Sequence, residues 1–119
     1  MDVYFDDDNV PQPDIIWVAE GSRCKITTKR LEGPPDLIVE IFSPGTQRQD
    51  RDEKFNLYER YGVWEYWMLD PVEQYLEVYQ WKDGHLMRQG VFKAGKPFVS
   101  TVLGGKTVDV SSVFENQKG

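Results

Sequence analysis

The chain has 119 residues, of which 39% are hydrophobic and 29% charged. This composition predicts a soluble globular protein, and the length predicts a single domain over 1–119 because it is too short for two independent cores. Its formal net charge of −6 argues against non-specific binding of the whole molecule to phosphate backbones. The single cysteine excludes an internal disulfide and a multi-cysteine zinc site. The N-terminus is acidic and the chain has no long apolar stretch, which predicts a cytoplasmic protein that does not cross a membrane.

The first third of the chain predicts extended structure. A short strand is predicted at 3–5, and two prolines then hold the chain extended ahead of a strand over 14–19. Residues 20–35 are polar and end in Gly-Pro-Pro, which predicts a connection. A second strong strand covers 36–43, where apolar residues do not alternate with polar ones, as is typical of a strand buried on both faces. The Ser-Pro-Gly-Thr sequence of 43–46 ends it.

One helix is predicted in the middle of the chain. It begins near Asp50 or Asp52, either of which could cap it, and ends at Gly62. A strand over 65–69 follows. The order strand, helix, strand predicts a right-handed parallel crossover.

The last third of the chain predicts a hairpin of 75–81 and 86–92 around a Lys-Asp-Gly turn. A last short strand around 107–110 precedes the apolar pair Val113 and Phe114. The predicted fold class is therefore α/β or α+β, a mixed sheet with one main helix packed on it and a C-terminal β-hairpin.

Glu40 is the most informative single residue. It lies inside the apolar sequence Leu-Ile-Val-Glu-Ile-Phe, where every neighbour predicts burial, and an unpaired buried charge costs several kcal/mol. Strand alternation places it on one face with Ile38 and Phe42. Two interpretations stay open: a functional carboxylate, or a structural one at an edge or in a buried ion pair.

Asp14 supplies a second carboxylate. It opens its strand, whereas Glu40 lies towards the end of the next strong strand. If the two strands pair antiparallel, both carboxylates converge into an oxygen-rich site of the kind that binds Mg²⁺ or Mn²⁺ together with substrate phosphates. Taken singly, Asp14 is also typical of a turn residue that starts a strand. Asp36 begins the strand of Glu40, but ~13 Å of extended chain separates the two, so a structural role is predicted for Asp36.

Lys54 lies on the apolar stripe of the predicted helix, at helical spacing with Leu57, Tyr58 and Tyr61. A lysine there could neutralise a scissile phosphate or help to activate water. The alternative is a lysine whose stem packs near the helix start while its ammonium reaches water.

A basic stretch over 23–30 contains four cations and no acid between them: Arg23, Lys25, Lys29 and Arg30. It forms either a local patch that contacts a phosphate backbone or a solvated loop face.

Three segments carry a resemblance to a known family: Gln12-Pro13-Asp14, Pro-Asp-Leu-Ile-Val-Glu-Ile at 35–41, and a spaced pattern over 50–70 that includes Lys54. Together they resemble the Uma-type family of proposed restriction endonucleases, a branch of the PD-(D/E)XK nuclease superfamily. The resemblance implies a restriction-endonuclease-like core in which Asp14 and Glu40 hold Mg²⁺ or Mn²⁺. The superfamily lysine usually stands where this chain has Phe42; here Lys54 of the following helix matches it.

The same resemblance bears on assembly and on function. Family members usually carry a further N-terminal portion, whereas Met1 stands almost at the Asp14 strand. A missing layer would expose a sheet edge or an apolar face, so a homodimer that covers it is expected. Two functions stay open: a Mg²⁺-dependent endonuclease that hydrolyses DNA phosphodiester bonds, and a non-catalytic, self-associating interaction module or truncated remnant of the nuclease fold.

Overall fold

Strands are the predominant regular elements of the structure, a computed structural model that describes residues 1–42 and 48–111. In chain order the elements are β1 Val3–Tyr4, β2 Ile15–Trp17, β3 Lys25–Ile26, β4 Leu31–Glu32, β5 Leu37–Ile41, α1 Arg48–Arg60, β6 Glu65–Asp70, β7 Tyr75–Lys82, β8 His85–Lys93, β9 Phe98–Ser100 and β10 Lys106–Val108. No helix in these described ranges is long and apolar enough to span a membrane.

A five-stranded mixed sheet in the order β2-β5-β6-β7-β8 forms the centre of the molecule. The pair β5 and β6, joined through α1, is parallel, and the other three pairs are antiparallel. The predicted mixed sheet with one helix, its parallel strand–helix–strand unit and the C-terminal hairpin are confirmed. The hairpin turns at Asp83-Gly84, where both residues have positive φ, as a two-residue primed turn requires.

Both faces of the central sheet are covered, which explains the unbroken apolar sequence of β5. Leu37 and Val39 face a core that includes Trp67 and Phe98. Ile38 belongs to the opposite core, which contains Tyr58 of α1 together with Tyr66 and Met68 of β6. Because neighbouring residues of a strand point to opposite faces, Glu40 lies on the helix-covered face.

The helix begins earlier than the sequence predicts. Its first residue is Arg48, so Asp50 lies inside the first turn and neither Asp50 nor Asp52 is the cap. An acidic side chain is favourable throughout the first turn, so this signal could not fix the starting residue. The predicted end is confirmed: the helix stops at Arg60 and Gly62 follows with φ +71. The predicted strand end at 43–46 lies outside the described residues.

Residues 20–35 are more than the predicted connection. They contain β3 and β4, which form a small three-stranded sheet with β1 in the order β1-β4-β3. Val3, Cys24 and Leu31 are buried together beneath it. Each of these strands has only two residues, too few to show an apolar periodicity in the sequence.

The C-terminal region covers the sheet face opposite α1. The predicted last strand is present as β10, but its antiparallel partner β9 was not predicted. Phe98 of β9 packs edge-to-face on Trp67, with ring centroids 5.2 Å apart. Val113 and Phe114 lie outside the described residues.

Candidate active site

Asp14 and Glu40 meet because β2 and β5 pair antiparallel, which is the condition under which the sequence brings the two carboxylates together. Ile15 is opposite Val39, so Asp14, one residue before Ile15, falls beside Glu40. The main-chain N–H of Asp14 donates to Glu40 Oε1 at 3.1 Å, and the N–H of Ile41 donates to Asp14 Oδ2 at 2.8 Å. Each carboxylate is therefore oriented by a main-chain donor near the other.

Lys54 reaches from α1 to the same carboxylate. Its Nζ lies 2.6 Å from Glu40 Oε2 and 3.9 Å from Asp50 Oδ2. The Lys54 side chain is 32% exposed, whereas that of Glu40 is 1% exposed. The ammonium thus contacts the carboxylate on the sheet face, while part of the lysine side chain stays accessible to water. This geometry suits a catalytic lysine, and it equally realises the buried ion pair considered for Glu40.

Burial and the ion pair shift the pKa of Glu40 in opposite directions. Burial raises the pKa of its carboxyl, and the Lys54 ammonium offsets this only in part, so the pKa lies above its ordinary value. Burial lowers the pKa of Lys54, but the Glu40 carboxylate more than compensates, and the net direction is upward. Lys54 consequently stays an ammonium at neutral pH.

The donor set at this point fits one hard cation. Glu40 Oε2 faces Lys54 and otherwise has no hydrogen-bond partner within the described ranges, and Asp14 is exposed. No group of three His, Cys, Asp or Glu side chains converges in the described part of the chain. Mg²⁺ is commonly bound by one or two carboxylates while water and substrate phosphates supply the other oxygens, so two carboxylates and water can hold such a cation and a phosphate substrate would complete its coordination.

The basic stretch is partly used inside the fold. Arg23 donates to the carbonyl oxygen of Gly62 at 2.6 Å and lies 4.0 Å from the Trp64 ring centroid. Arg30 pairs with Glu32 at 3.3 Å. These contacts indicate that two of its four cations fix the fold.

Asp36 has the structural role predicted for it. It is buried, and its Oδ2 accepts a hydrogen bond from the N–H of Ala19 at 2.8 Å. Its main-chain N–H donates to the carbonyl oxygen of Trp17. Asp36 thus fixes the chain where β2 ends.

Sequence reasoning missed a second buried carboxylate, Glu65 in β6, which is fully buried. Its Oε2 accepts hydrogen bonds from Trp67 Nε1 and Ser100 Oγ, both at 2.7 Å, and Gln80 Nε2 lies 3.3 Å from its Oε1. The signal was the same as for Glu40, an acid in an apolar strand. Because Glu65 shares a face with Trp67, it lies on the opposite side of the sheet from Glu40 and takes no part in the site.

Comparison with known proteins assigns this sequence to a family. The model of the Uma2 family, described as "Putative restriction endonuclease", matches residues 1–111. The chain belongs to the Uma2 family. The resemblance inferred from the three sequence segments is therefore confirmed.

A solved structure shows the same fold as this Uma2 protein. A crystal structure described as a "putative nuclease belonging to DUF820" from Anabaena variabilis is similar with a TM-score of 0.62 and 20% sequence identity. The similarity covers 96% of this chain but 64% of the Anabaena chain, so the present chain spans less than two thirds of that protein. No curated protein matches the sequence.

Proposed function

We propose that this Uma2 protein is a Mg²⁺- or Mn²⁺-dependent endonuclease that hydrolyses DNA phosphodiester bonds. The observation that carries the proposal is the convergence of Asp14, Glu40 and Lys54 from three different elements, with Lys54 Nζ 2.6 Å from Glu40 Oε2. Two carboxylates beside a partly buried ammonium can hold both a divalent cation and a phosphate. The family assignment supports a nuclease, while the metal and the DNA substrate are the parts proposed.

In this mechanism Asp14 and Glu40 would hold the cation, which supplies Lewis acidity towards the phosphate and lowers the pKa of an attacking water. The hydrogen bonds from the N–H groups of Asp14 and Ile41 keep the two carboxylates in place before the substrate arrives. The Lys54 ammonium stabilises the charge that develops on the phosphate or orients the water. Its raised pKa keeps it charged for this task.

Titration of Mn²⁺ into the protein by calorimetry tests the metal site without a choice of substrate. Saturable binding is expected in the wild type, and Glu40→Gln and Asp14→Asn should lose it. Glu73→Gln is the matched control because this exposed acid lies in the turn before β7. No binding by the wild type would contradict the proposal. Binding that persists in Glu40→Gln would move the cation elsewhere.

An apolar sheet edge favours a second candidate function, a non-catalytic module that self-associates. The edge strand β2 exposes Ile15 and Trp17, and Ile26 is 68% exposed. A groove of about 470 Å³ runs past Ile16, Trp17 and Ile26 and reaches Asp14. We propose that a second copy of the chain covers this edge. Such a dimer is compatible with either function, so metal binding distinguishes the two.

A further inference from the structure

A groove of about 450 Å³ lies on the helix-covered face of the sheet, next to the carboxylate site. Its walls include Arg48 and Arg51 of α1, and its floor includes Met68 of β6 and Glu77 of β7. None of these four residues belongs to the set Asp14, Glu40 and Lys54. The groove therefore needs an explanation of its own.

Sheet register fixes how far this groove is from the site. Glu40 is opposite Met68 in the parallel pair, and Met68 is opposite Glu77 in the antiparallel pair. The three residues form one row across β5, β6 and β7, with neighbouring strands ~4.8 Å apart. The groove floor thus begins one strand away from Glu40.

Arg51 places an unneutralised cation above this row. Its Nη2 lies 3.8 Å from Met68 Sδ, and its guanidinium carbon is 5.0 Å from the Phe42 ring centroid. Lys54, one helical turn further on, has Glu40 as its counter-ion. Arg51 forms no ion pair with any carboxylate among residues 1–42 and 48–111. A guanidinium held on apolar side chains without a counter-ion is prepared to bind an anion.

Resting on the nuclease function proposed above, we propose that Arg51 and Arg48 bind a backbone phosphate adjacent to the phosphate at Glu40 and Lys54. The DNA strand then passes over α1 from Lys54 towards Arg51 and Arg48 and does not enter the row of Glu40 and Met68, whose side chains are buried. Arg48 lies one turn before Arg51 and its Nε is 3.9 Å from Asp52 Oδ2, but both side chains are largely exposed, at 94% and 67%, so this weak surface pair leaves the Arg48 guanidinium able to move to a phosphate.

Glu77 limits this path. It lies at the far end of the row, where it accepts a hydrogen bond from Tyr79 Oη at 3.2 Å. Its carboxylate repels a phosphate, so the bound phosphate is placed on the α1 side of the groove, beside Arg48 and Arg51, and not deeper in the groove. Arg51 and Glu77 therefore have opposite effects on DNA affinity.

The test is the affinity of a short fluorescein-labelled DNA duplex, measured by anisotropy in EDTA so that cleavage does not interfere. Arg51→Gln should weaken binding about tenfold, as loss of a charge-assisted hydrogen bond does. It should also reduce the slope of log affinity against log salt by about 0.9, one phosphate contact. Arg51→Lys should restore part of the affinity, and Glu77→Gln should strengthen binding.

Lys106→Gln is the matched control, since it removes one exposed positive charge from β10 on the opposite face; its affinity should equal that of the wild type. Thermal unfolding of each variant verifies the fold. An unchanged affinity and slope in Arg51→Gln, with a loss in Lys25→Gln or Lys29→Gln, would overturn the inference and assign the backbone contact to 23–30. If the wild type binds Mn²⁺ but no DNA, this inference fails while the metal site stands; if it binds neither, the proposed function fails too.

Discussion

Lys54 and Glu40 form an ion pair of 2.6 Å between the helix and the second strand of the central sheet. Glu40 is almost completely buried, whereas the Lys54 side chain is 32% exposed. Partial exposure of the lysine lowers the desolvation cost of the pair, so a purely structural ion pair and a catalytic lysine both fit this geometry. The cleavage activity of a Lys54 variant distinguishes the two roles.

Replacement of Lys54 by alanine should abolish detectable DNA cleavage, and it should also lower the free energy of unfolding because the buried Glu40 carboxylate loses its ammonium partner. The loss of one preorganised donor at a developing charge lowers the rate by about 100- to 1,000-fold. Cleavage of plasmid DNA in Mg²⁺ is the measurement, with far-UV circular dichroism as the check on folding. Lys106→Ala is the control, because it removes an exposed lysine from the other face of the sheet. Cleavage retained in Lys54→Ala would remove this residue from the mechanism.

The site was largely predictable because its residues obey local rules. Glu40 interrupts an apolar strand, and Asp14 opens the strand that pairs with it, so antiparallel register alone brings them together. Lys54 follows from helical spacing. Each of these inferences depends on one period, 2 or 3.6, and on one pairing.

Arg51 could not be recognised in the same way. In the sequence, Arg51 is one of several charged residues of a mostly polar helix, and nothing distinguishes it from the others. Its value depends on the lack of an ion pair between Arg51 and any carboxylate of residues 1–42 and 48–111, and on Met68, a residue 17 positions away. The short strands β3 and β4 were missed for a related reason, since the pairing of β4 with β1 and β3 is a tertiary contact that strands of two residues do not reveal in the sequence.

The raised pKa of Glu40 predicts a pH-dependent contribution to stability. Burial makes the folded protein bind this proton more tightly than the unfolded chain, whose glutamate has the ordinary pKa of 4.5. The contribution is therefore fully present below pH 4.5 and is lost as pH rises through the folded pKa. Relative to Glu40→Gln, the wild-type free energy of unfolding should fall across that window, by at most about 1.4 kcal/mol per pH unit.

Urea denaturation at a series of pH values measures this difference in metal-free protein. Glu73→Gln should follow the wild type at every pH because its side chain is exposed. A constant difference between wild type and Glu40→Gln would show that folding leaves the proton affinity of Glu40 unchanged.

Ser100 should stabilise the C-terminal strand pair through Glu65. Its hydroxyl is fully buried and donates to Glu65 Oε2 at 2.7 Å, so Ser100→Ala leaves a buried acceptor with one donor fewer. The expected loss is about 1–3 kcal/mol in the free energy of unfolding, measured in urea. Thr107→Val removes an exposed hydroxyl from the paired strand β10, and it should change stability by less than about 0.5 kcal/mol. Equal effects of the two substitutions would contradict this role.

The two edge strands of the central sheet differ in how well they are protected against pairing with a strand of another molecule. This difference predicts where a dimer forms. Edge strand β8 has a register irregularity opposite Val78 and Tyr79 and carries Arg88 and Lys93, features that discourage strand pairing. Edge strand β2 has the uncharged sequence Ile-Ile-Trp and carries neither of these features.

Sedimentation equilibrium at micromolar concentration should therefore give twice the monomer mass of 13.9 kDa. Trp17→Arg should shift the protein to monomer, because the charge lies on the β2 edge and loses its hydration if a second copy pairs there. Met87→Arg places the same charge on an exposed residue of β8 and should leave the dimer intact. A monomeric wild type would contradict the homodimer itself, whereas dissociation by Met87→Arg alone would assign the interface to β8.

Mn²⁺ titration of monomeric Trp17→Arg then decides whether Asp14, which shares the groove with Trp17, needs the second copy to bind the cation.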